Sequence, residues 1–286
     1  MTKPAEVPVF ILAGGLGTRI SEETNLRPKP MIEVGDIPIL VHIMRWYYAH
    51  GFNDFVICGG YRSWEIKQYF LNYEFRVNHL LIDHREGGLS ALTQKKKRVA
   101  DIMGQNQAQE RWRIRVIDTG LNCMTGGRIA RAFDEIHGSD RFEHFAITYG
   151  DGVSDVPLGR ELEFHLEHQR IGTVLGVTPL ARFGELEVNS DGRVDGFLEK
   201  PEMNQGSING GFFFMKRQFR EFLSTDATCI LERQPLATLA QRGELMMFKN
   251  PGFWHPMDTL RDKNYLQELW DKGNPPWLYR SGVSRS

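Results

Sequence analysis

Three cysteines in 286 residues, Cys58, Cys123 and Cys229, make no CxxC pair and no zinc-type spacing. They read as free thiols in a reducing compartment. Long apolar runs are also missing. The N-terminal one, Val9 to Ala13, is shorter than the roughly 7–15 residues of a signal core, and nothing reaches the ~18 of a membrane span. A cytoplasmic location is therefore expected. Charge of one sign is absent too: 35 basic against 36 acidic residues leave a formal net charge of −1. That removes the long-range case for a nucleic-acid or membrane binder but leaves room for a local phosphate site. The nine histidines contain no HExxH, and His165 with His168 read as surface residues of a polar helix. Glycine is the residue in excess, 29 of 286 against a usual ~7%.

Short apolar runs alternate with helical periodicity through the first 180 residues. Strands are expected at Val9–Leu12, Phe55–Cys58, Ile114–Ile117, Phe145–Thr148 and Thr173–Val177, with helices at Ile39–His50, Trp64–Leu71, Arg128–Ile136 and Leu158–His168. Such alternation implies an α/β fold on a mainly parallel sheet, whose ligands sit at the carboxyl ends of the strands. Segments 13–19, 118–128 and 149–152 each lie at such an end. Beyond residue 180, short strands at 186–188, 193–198 and 212–215 precede helices near 217–223, 232–242 and 260–270. Residues 84–110 are polar and are expected to form an insertion or mobile loop, and their Lys95-Lys-Lys-Arg98 run is either a solvated face or a phosphate or partner contact. From Gly273 an extended or frayed tail is expected.

Leu12-Ala-Gly-Gly-Leu-Gly-Thr-Arg19 follows the first strand directly. Gly14, Gly15 and Gly17 let a ligand approach the main chain, so that amide N–H groups face phosphate oxygens. A dinucleotide fingerprint would need glycine at position 20, which is Ile20, and no Gly-Lys-Ser/Thr of a P-loop occurs. Further on, Pro28 and Pro30 frame Lys29, which suits a cation held beside a phosphate; a lysine on a solvated turn is the bland alternative. Asp151, between two glycines, is either a turn former or a ligand. Asp258 is either the N-cap of a helix beginning near Leu260 or a ligand. Two carboxylates together can hold Mg²⁺. Arg128 taken alone reads as a helix cap or a surface pair. Trp254 is expected to pack under the site, and Trp270 in the core or an interface.

The Gly-x-Gly-Thr-Arg loop followed by Pro-Lys-Pro resembles the sugar-phosphate nucleotidylyltransferases. Met124-Thr-Gly-Gly-Arg128, Tyr149-Gly-Asp-Gly-Val153, Glu199-Lys-Pro201, Asn209-Gly-Gly-Phe212 and Gly252 to Asp262 narrow it to members using CTP, in the expected order over residues 7–277. The resemblance implies a Rossmann-like (GT-A-like) mixed, mainly parallel sheet flanked by helices, with a small C-terminal extension. It implies one nucleotidyltransferase domain over 1–260, with a nucleotide half at about 7–155 and a sugar half at about 156–260, then a helix and tail over 261–286. The reaction implied is CTP plus a sugar 1-phosphate, glucose 1-phosphate foremost, giving a CDP-sugar and pyrophosphate, an early step toward the deoxysugars of surface polysaccharide. Arg19 is assigned to the departing pyrophosphate, Lys29 to the phosphates, and Asp151 with Asp258 to Mg²⁺. Leu12, Ala13, Gly14, Gly15, Leu16, Gly17, Thr18, Cys123, Thr125, Gly126, Arg128 and Gly150 would line the nucleotide. Tyr149, Glu199, Lys200, Asn209 and Gly210 would hold the sugar phosphate. A homo-oligomer, with the C-terminal helices as candidate contact, is implied as well.

Three departures stand out, one of them a hydrophilic stretch at 101–110 that is longer than usual in the family. Cys123 occupies a position where relatives carry a small hydroxyl residue, and Glu185 one where they carry a small residue near the sugar. Another nucleotide or sugar phosphate is the rival within the class. A binding protein without turnover is the rival outside it and predicts loss of metal or phosphate residues, yet Arg19, Lys29, Asp151 and Asp258 are all present.

Overall fold

The computed structural model describes residues 2–15, 17, 20, 27–83, 90–95, 110–136, 142–178, 185–189, 191–198 and 206–278, with backbone alone for 78–83, 90–95, 185–188 and 195–198. Strand β1 (Val9–Ala13) leads to the short pair β2 (Glu33–Val34) and β3 (Ile37–Pro38), helix α1 (Ile39–Ala49) and β4 (Asp54–Gly59). Helices α2 (Ser63–Leu71) and α3 (Tyr73–Val77) follow, then the hairpin of β5 (Asn78–Asp83) with β6 (Ser90–Lys95), and β7 (Arg113–Asp118). Next come α4 (Thr125–Ile136), β8 (His144–Tyr149), β9 (Gly152–Ser154), α5 (Leu158–His168) and β10 (Gly172–Val177). After the hairpin of β11 (Glu185–Val188) with β12 (Val194–Leu198) the chain runs through β13 (Ile208–Lys216), α6 (Gln234–Gln241), β14 (Leu245–Asn250), β15 (Trp254–Pro256) and α7 (Leu260–Asp271).

Seven of these strands form one sheet in the order β14-β10-β13-β8-β1-β4-β7. All neighbours are parallel except β13, which runs antiparallel to both β8 and β10. This is the mixed, mainly parallel α/β architecture that the alternation implied. β1 is buried along its whole length, as a central parallel strand covered on both faces must be. The two-residue period divides its side chains between two cores. Val9, Ile11 and Ala13 join Phe55, Ile57, Phe212 and Phe214 under α1 and α5, while Phe10 and Leu12 join Val56, Phe145, Ile147 and Phe213 under α4 and α6.

Several expectations are corrected. His165 is fully buried, because Leu158, Leu162 and His165 recur on the one face of α5 that covers the sheet. Its Nε2 meets His144 Nδ1 at 3.0 Å and its Nδ1 meets Thr173 Oγ1 at 2.9 Å, while His168 Nε2 meets the same hydroxyl at 2.7 Å. Burial first, then His144 and His168, push His165 down to about 3, so the ring is neutral near pH 7. The polar stretch 84–110 contains β6, whose last residue is Lys95; residues 96–109 lie outside the described ones. Nor does the chain fray at Gly273: Trp277 is buried and donates from Nε1 to His42 Nδ1 at 3.3 Å, with Trp270 edge-on to the same ring.

Glu161 in the first turn of α5 is fully buried, and neither carboxylate oxygen meets a hydrogen-bond partner among the described residues. Burial pushes its pKa up from 4.5 to about 8. The folded state therefore binds a proton that the unfolded state has released, and stability falls as pH rises between these two values. Glu161→Gln, the neutral isostere, is expected to match the parent near pH 5 and to gain on it steadily toward pH 8. Parallel melting-temperature profiles for the two proteins would refute the buried neutral carboxyl.

Candidate active site

At the carboxyl ends of β1 and β8 the chain makes two tight approaches. Gly150 N–H donates to Leu12 O at 3.0 Å, which ties the end of β8 to the end of β1. β9, immediately after Asp151, pairs antiparallel with β15, which ends two residues before Asp258, so that Gly152 faces Pro256 and Val153 faces His255. Met257 N–H extends this ladder to Asp151 O at 2.8 Å. Two carboxylates distant in sequence are thereby set side by side at one end of a short ribbon.

Lys29 lies between them. Pro28, extended at φ −65° and ψ 146°, delivers Lys29 into the single 3-10 turn Lys29–Met31, whose Pro30 and Met31 are buried. Its ammonium donates to Asp151 Oδ2 at 2.7 Å and to Asp258 Oδ1 at 2.8 Å. Burial by itself would lower the ammonium's pKa, but Asp151 and then Asp258 outweigh it and hold the pKa above the usual lysine value. Lys29 is 12% exposed and the carboxylates 31% and 21%, so the three form a partly sheltered triad open toward solvent on the carboxylate side. Asp258 does not cap the following helix. That task belongs to Thr259, whose Oγ1 accepts from Asp262 N–H at 3.2 Å in a capping box, while Asp258 N–H donates to Asp262 Oδ2 at 3.1 Å.

The Thr125-Gly-Gly-Arg128 segment is the first turn of α4 and not a free turn. The chain at 224–233 packs against this helix start and takes up its free N–H groups: Met124 N–H donates to Ala227 O at 2.8 Å and Gly127 N–H to Cys229 O at 3.1 Å. Glycine is required at 127 because a Cβ there would fall 2.5 Å from Asp226 O. Arg128 is 4% exposed and turned inward. Its guanidinium donates to Gly14 O at 2.9 Å, Gly59 O at 3.1 Å, Gly120 O at 2.8 Å, Leu121 O at 3.1 Å and Thr119 Oγ1 at 2.9 Å. It thus gathers the loops after β1, β4 and β7 onto one cation, and a Cβ at Gly14 would lie 2.2 Å from its Nη1.

Leu12 and Ala13 close β1, and Gly15 stands exposed beside the cleft, with Gly17 at φ 64°. Leu16, Thr18, Arg19, Glu199 and Lys200 lie outside the described residues, as does the side chain of Glu185. Cys123 is buried, and burial pushes its thiol up, so it is protonated at neutral pH and no nucleophile. Gly126 is buried beneath Cys229. On the far side Asn209 Nδ2 donates to Tyr149 Oη at 3.2 Å, and Trp254 Nε1 donates to Gly210 O at 2.7 Å, which packs the tryptophan beneath the site as expected. One polar residue escaped the sequence reading. Glu232 accepts from Tyr149 Oη at 2.5 Å and from Thr125 Oγ1 at 2.7 Å; an exposed glutamate in a connecting segment carries no spacing signal that would reveal it.

A mainly parallel sheet with paired carboxylates beside a lysine at its strand ends puts a polar candidate ligand site where such α/β sheets bind their ligands. The chain belongs to the nucleotidyl transferase family, whose model matches residues 8–236. Over 267 residues it is 45% identical to the glucose-1-phosphate cytidylyltransferase of Salmonella typhimurium (strain LT2), covering 93% of this chain and 97% of that one. The probable glucose-1-phosphate cytidylyltransferase of Bacillus subtilis (strain 168) is 37% identical with the same coverage. Among solved structures, UDP-glucose pyrophosphorylase complexed with UDP-glucose superposes with TM-score 0.62 at 16% identity, over 93% of this chain and 98% of that one, a likeness of fold. The resemblance read from the motifs is borne out.

Proposed function

We propose that this protein transfers the cytidylyl group of CTP to α-D-glucose 1-phosphate, giving CDP-glucose and pyrophosphate. The observation that carries the reading is the Lys29–Asp151–Asp258 triad at the strand ends, in a chain 45% identical to a glucose-1-phosphate cytidylyltransferase. The sugar phosphate's second pKa is about 6, so the attacking phosphate is already mostly dianionic near pH 7 and needs no general base. The barrier is repulsion between two anions that must meet in line at the α-phosphorus, and it is lowered by positioning and neutralisation.

In this reading Lys29 leaves the carboxylates for the phosphates of CTP, and Arg19 attends the departing pyrophosphate. Asp151 and Asp258 already share one cation, with one oxygen of each within 2.8 Å of it, and their all-oxygen donor set fits Mg²⁺, which takes one or two carboxylates plus waters and substrate phosphates. When bound there, Mg²⁺ supplies charge neutralisation at the reacting phosphates. Residues 12–19, with Cys123, Thr125, Gly126, Arg128 and Gly150, form the nucleotide side; Arg128 serves it by fixing the Gly14 carbonyl. Tyr149, Glu199, Lys200, Asn209 and Gly210 form the sugar side. Residues 1–260 make the catalytic domain, with halves meeting near 155, and 261–286 add the final helix and tail. A homo-oligomer in the cytoplasm completes the proposal; consistent with the location, no helix among the described residues is long and apolar enough to cross a membrane.

The test is pyrophosphate release with Mg²⁺, crossing CTP, UTP, dTTP, ATP and GTP with glucose 1-phosphate and other sugar 1-phosphates. Release with CTP and glucose 1-phosphate is expected to exceed every other pair. Preference for another sugar with CTP would turn attention to Glu185, and silence with all pairs would overturn the reading.

A further inference from the structure

Glu232 joins the two sides of the cleft. One carboxylate oxygen receives the phenol of Tyr149, at the end of β8, and the other receives the hydroxyl of Thr125, at the start of α4. Each donor is itself held from behind. Tyr149 Oη accepts from Asn209 Nδ2, whose Oδ1 accepts from Gly211 N–H at 2.8 Å; Thr125 Oγ1 accepts from Leu231 N–H at 2.9 Å. The result is a continuous hydrogen-bonded chain from the start of β13 to the helix start, Asn209–Tyr149–Glu232–Thr125, with directions fixed throughout. Because Oη and Oγ1 each have a single proton and both point it at Glu232, each hydroxyl can meet a ligand only as an acceptor.

Resting on the function proposed above, we infer that Glu232 is a positioning residue that orients Tyr149 and Thr125 together, so that the sugar side and the nucleotide side of the cleft hold a nucleotide sugar in one register. Hydrogen bonds to a charged acceptor are the stronger kind, and two donors sharing one carboxylate couple their orientations. Mutation of Glu232 then disturbs ligand through Tyr149, and its effect depends on whether the phenol is present. A carboxylate that merely braces the 224–233 segment would act on stability, whatever stood at 149.

The experiment is a double-mutant cycle of Glu232→Ala and Tyr149→Phe, read by calorimetric CDP-glucose binding and by the KM for glucose 1-phosphate, with melting temperatures for every variant. Each single change is expected to weaken binding and raise KM about tenfold, and the double variant about tenfold rather than a hundredfold. Glu232→Gln, which keeps one acceptor oxygen, recovers part of the loss. Multiplicative losses, or unaltered binding and KM in Glu232→Ala, would overturn the inference. Should the substrate matrix reveal a different nucleotide sugar, the function proposed above fails, and the same cycle with that ligand still supports or refutes the role of Glu232.

Discussion

Lys29→Met is expected to cut kcat by about a hundredfold or more, the scale on which removal of one preorganised charge at a reacting centre acts, while tightening the hold of the substrate-free protein on Mn²⁺. The two effects run in opposite directions for one reason. With no substrate bound, the ammonium occupies the space between Asp151 and Asp258, 2.7 and 2.8 Å from their oxygens, so a divalent ion entering there competes with it. Methionine keeps the length of the side chain and withdraws the competitor. In the proposed reaction the same ammonium moves to the phosphates of CTP, a role that methionine cannot fill. Steady-state kinetics and Mn²⁺ titration of one variant preparation check both halves. Unchanged kcat would make Lys29 a structural counter-ion only, and unchanged Mn²⁺ affinity would place the metal elsewhere.

Asp151→Asn and Asp258→Asn are each expected to lower kcat by about 10²–10³-fold, with melting temperatures close to the parent. The amide preserves shape and one acceptor oxygen but removes the charge that a divalent ion requires. Neither aspartate supports the core: both flank the β9–β15 ribbon, which is joined by main-chain hydrogen bonds that the substitution leaves alone. Rates near the parent's in Mg²⁺ for both variants would remove the metal from this pair, whereas loss in only one would mean that a single carboxylate carries it.

Much of the scaffold was legible because it rests on local periodicity. The unbroken apolar run Val9–Leu12 announced a central parallel strand, and the 3.6-residue repeat of α1 and α7 set those helices within a residue or so. The ribbon of β9 and β15 was not legible, since three-residue strands carry no period and their register is fixed only once the sheet exists. Burial of His165 was hidden by its polarity; a histidine on a helix face is read as solvated unless its partners, His144 and Thr173, are known to lie opposite. The helix expected from Arg128 begins three residues earlier, at Thr125, because Gly126 and Gly127, poor helix formers by themselves, are demanded by the chain that crosses them. The candidate site was visible as separate motifs, each at a strand end. Sequence spacing said nothing of Lys29 sitting between two carboxylates, because that contact joins residues 122 and 229 positions apart.

Those separations bear on the life of the nascent chain. At roughly 5–20 residues per second of synthesis, some 5–20 s pass between the emergence of residue 151 and that of residue 258. Throughout that interval Lys29 and Asp151 are available and Asp258 is not, so a ribosome-bound fragment holds two of the three members of its charge triad. Contacts of such long range also place completion of this centre late in folding, after the sheet has assembled. On the proposed function, an incomplete or misassembled copy would lack the second carboxylate, and the first appearance of pyrophosphate release would report the arrival of β15 and Asp258.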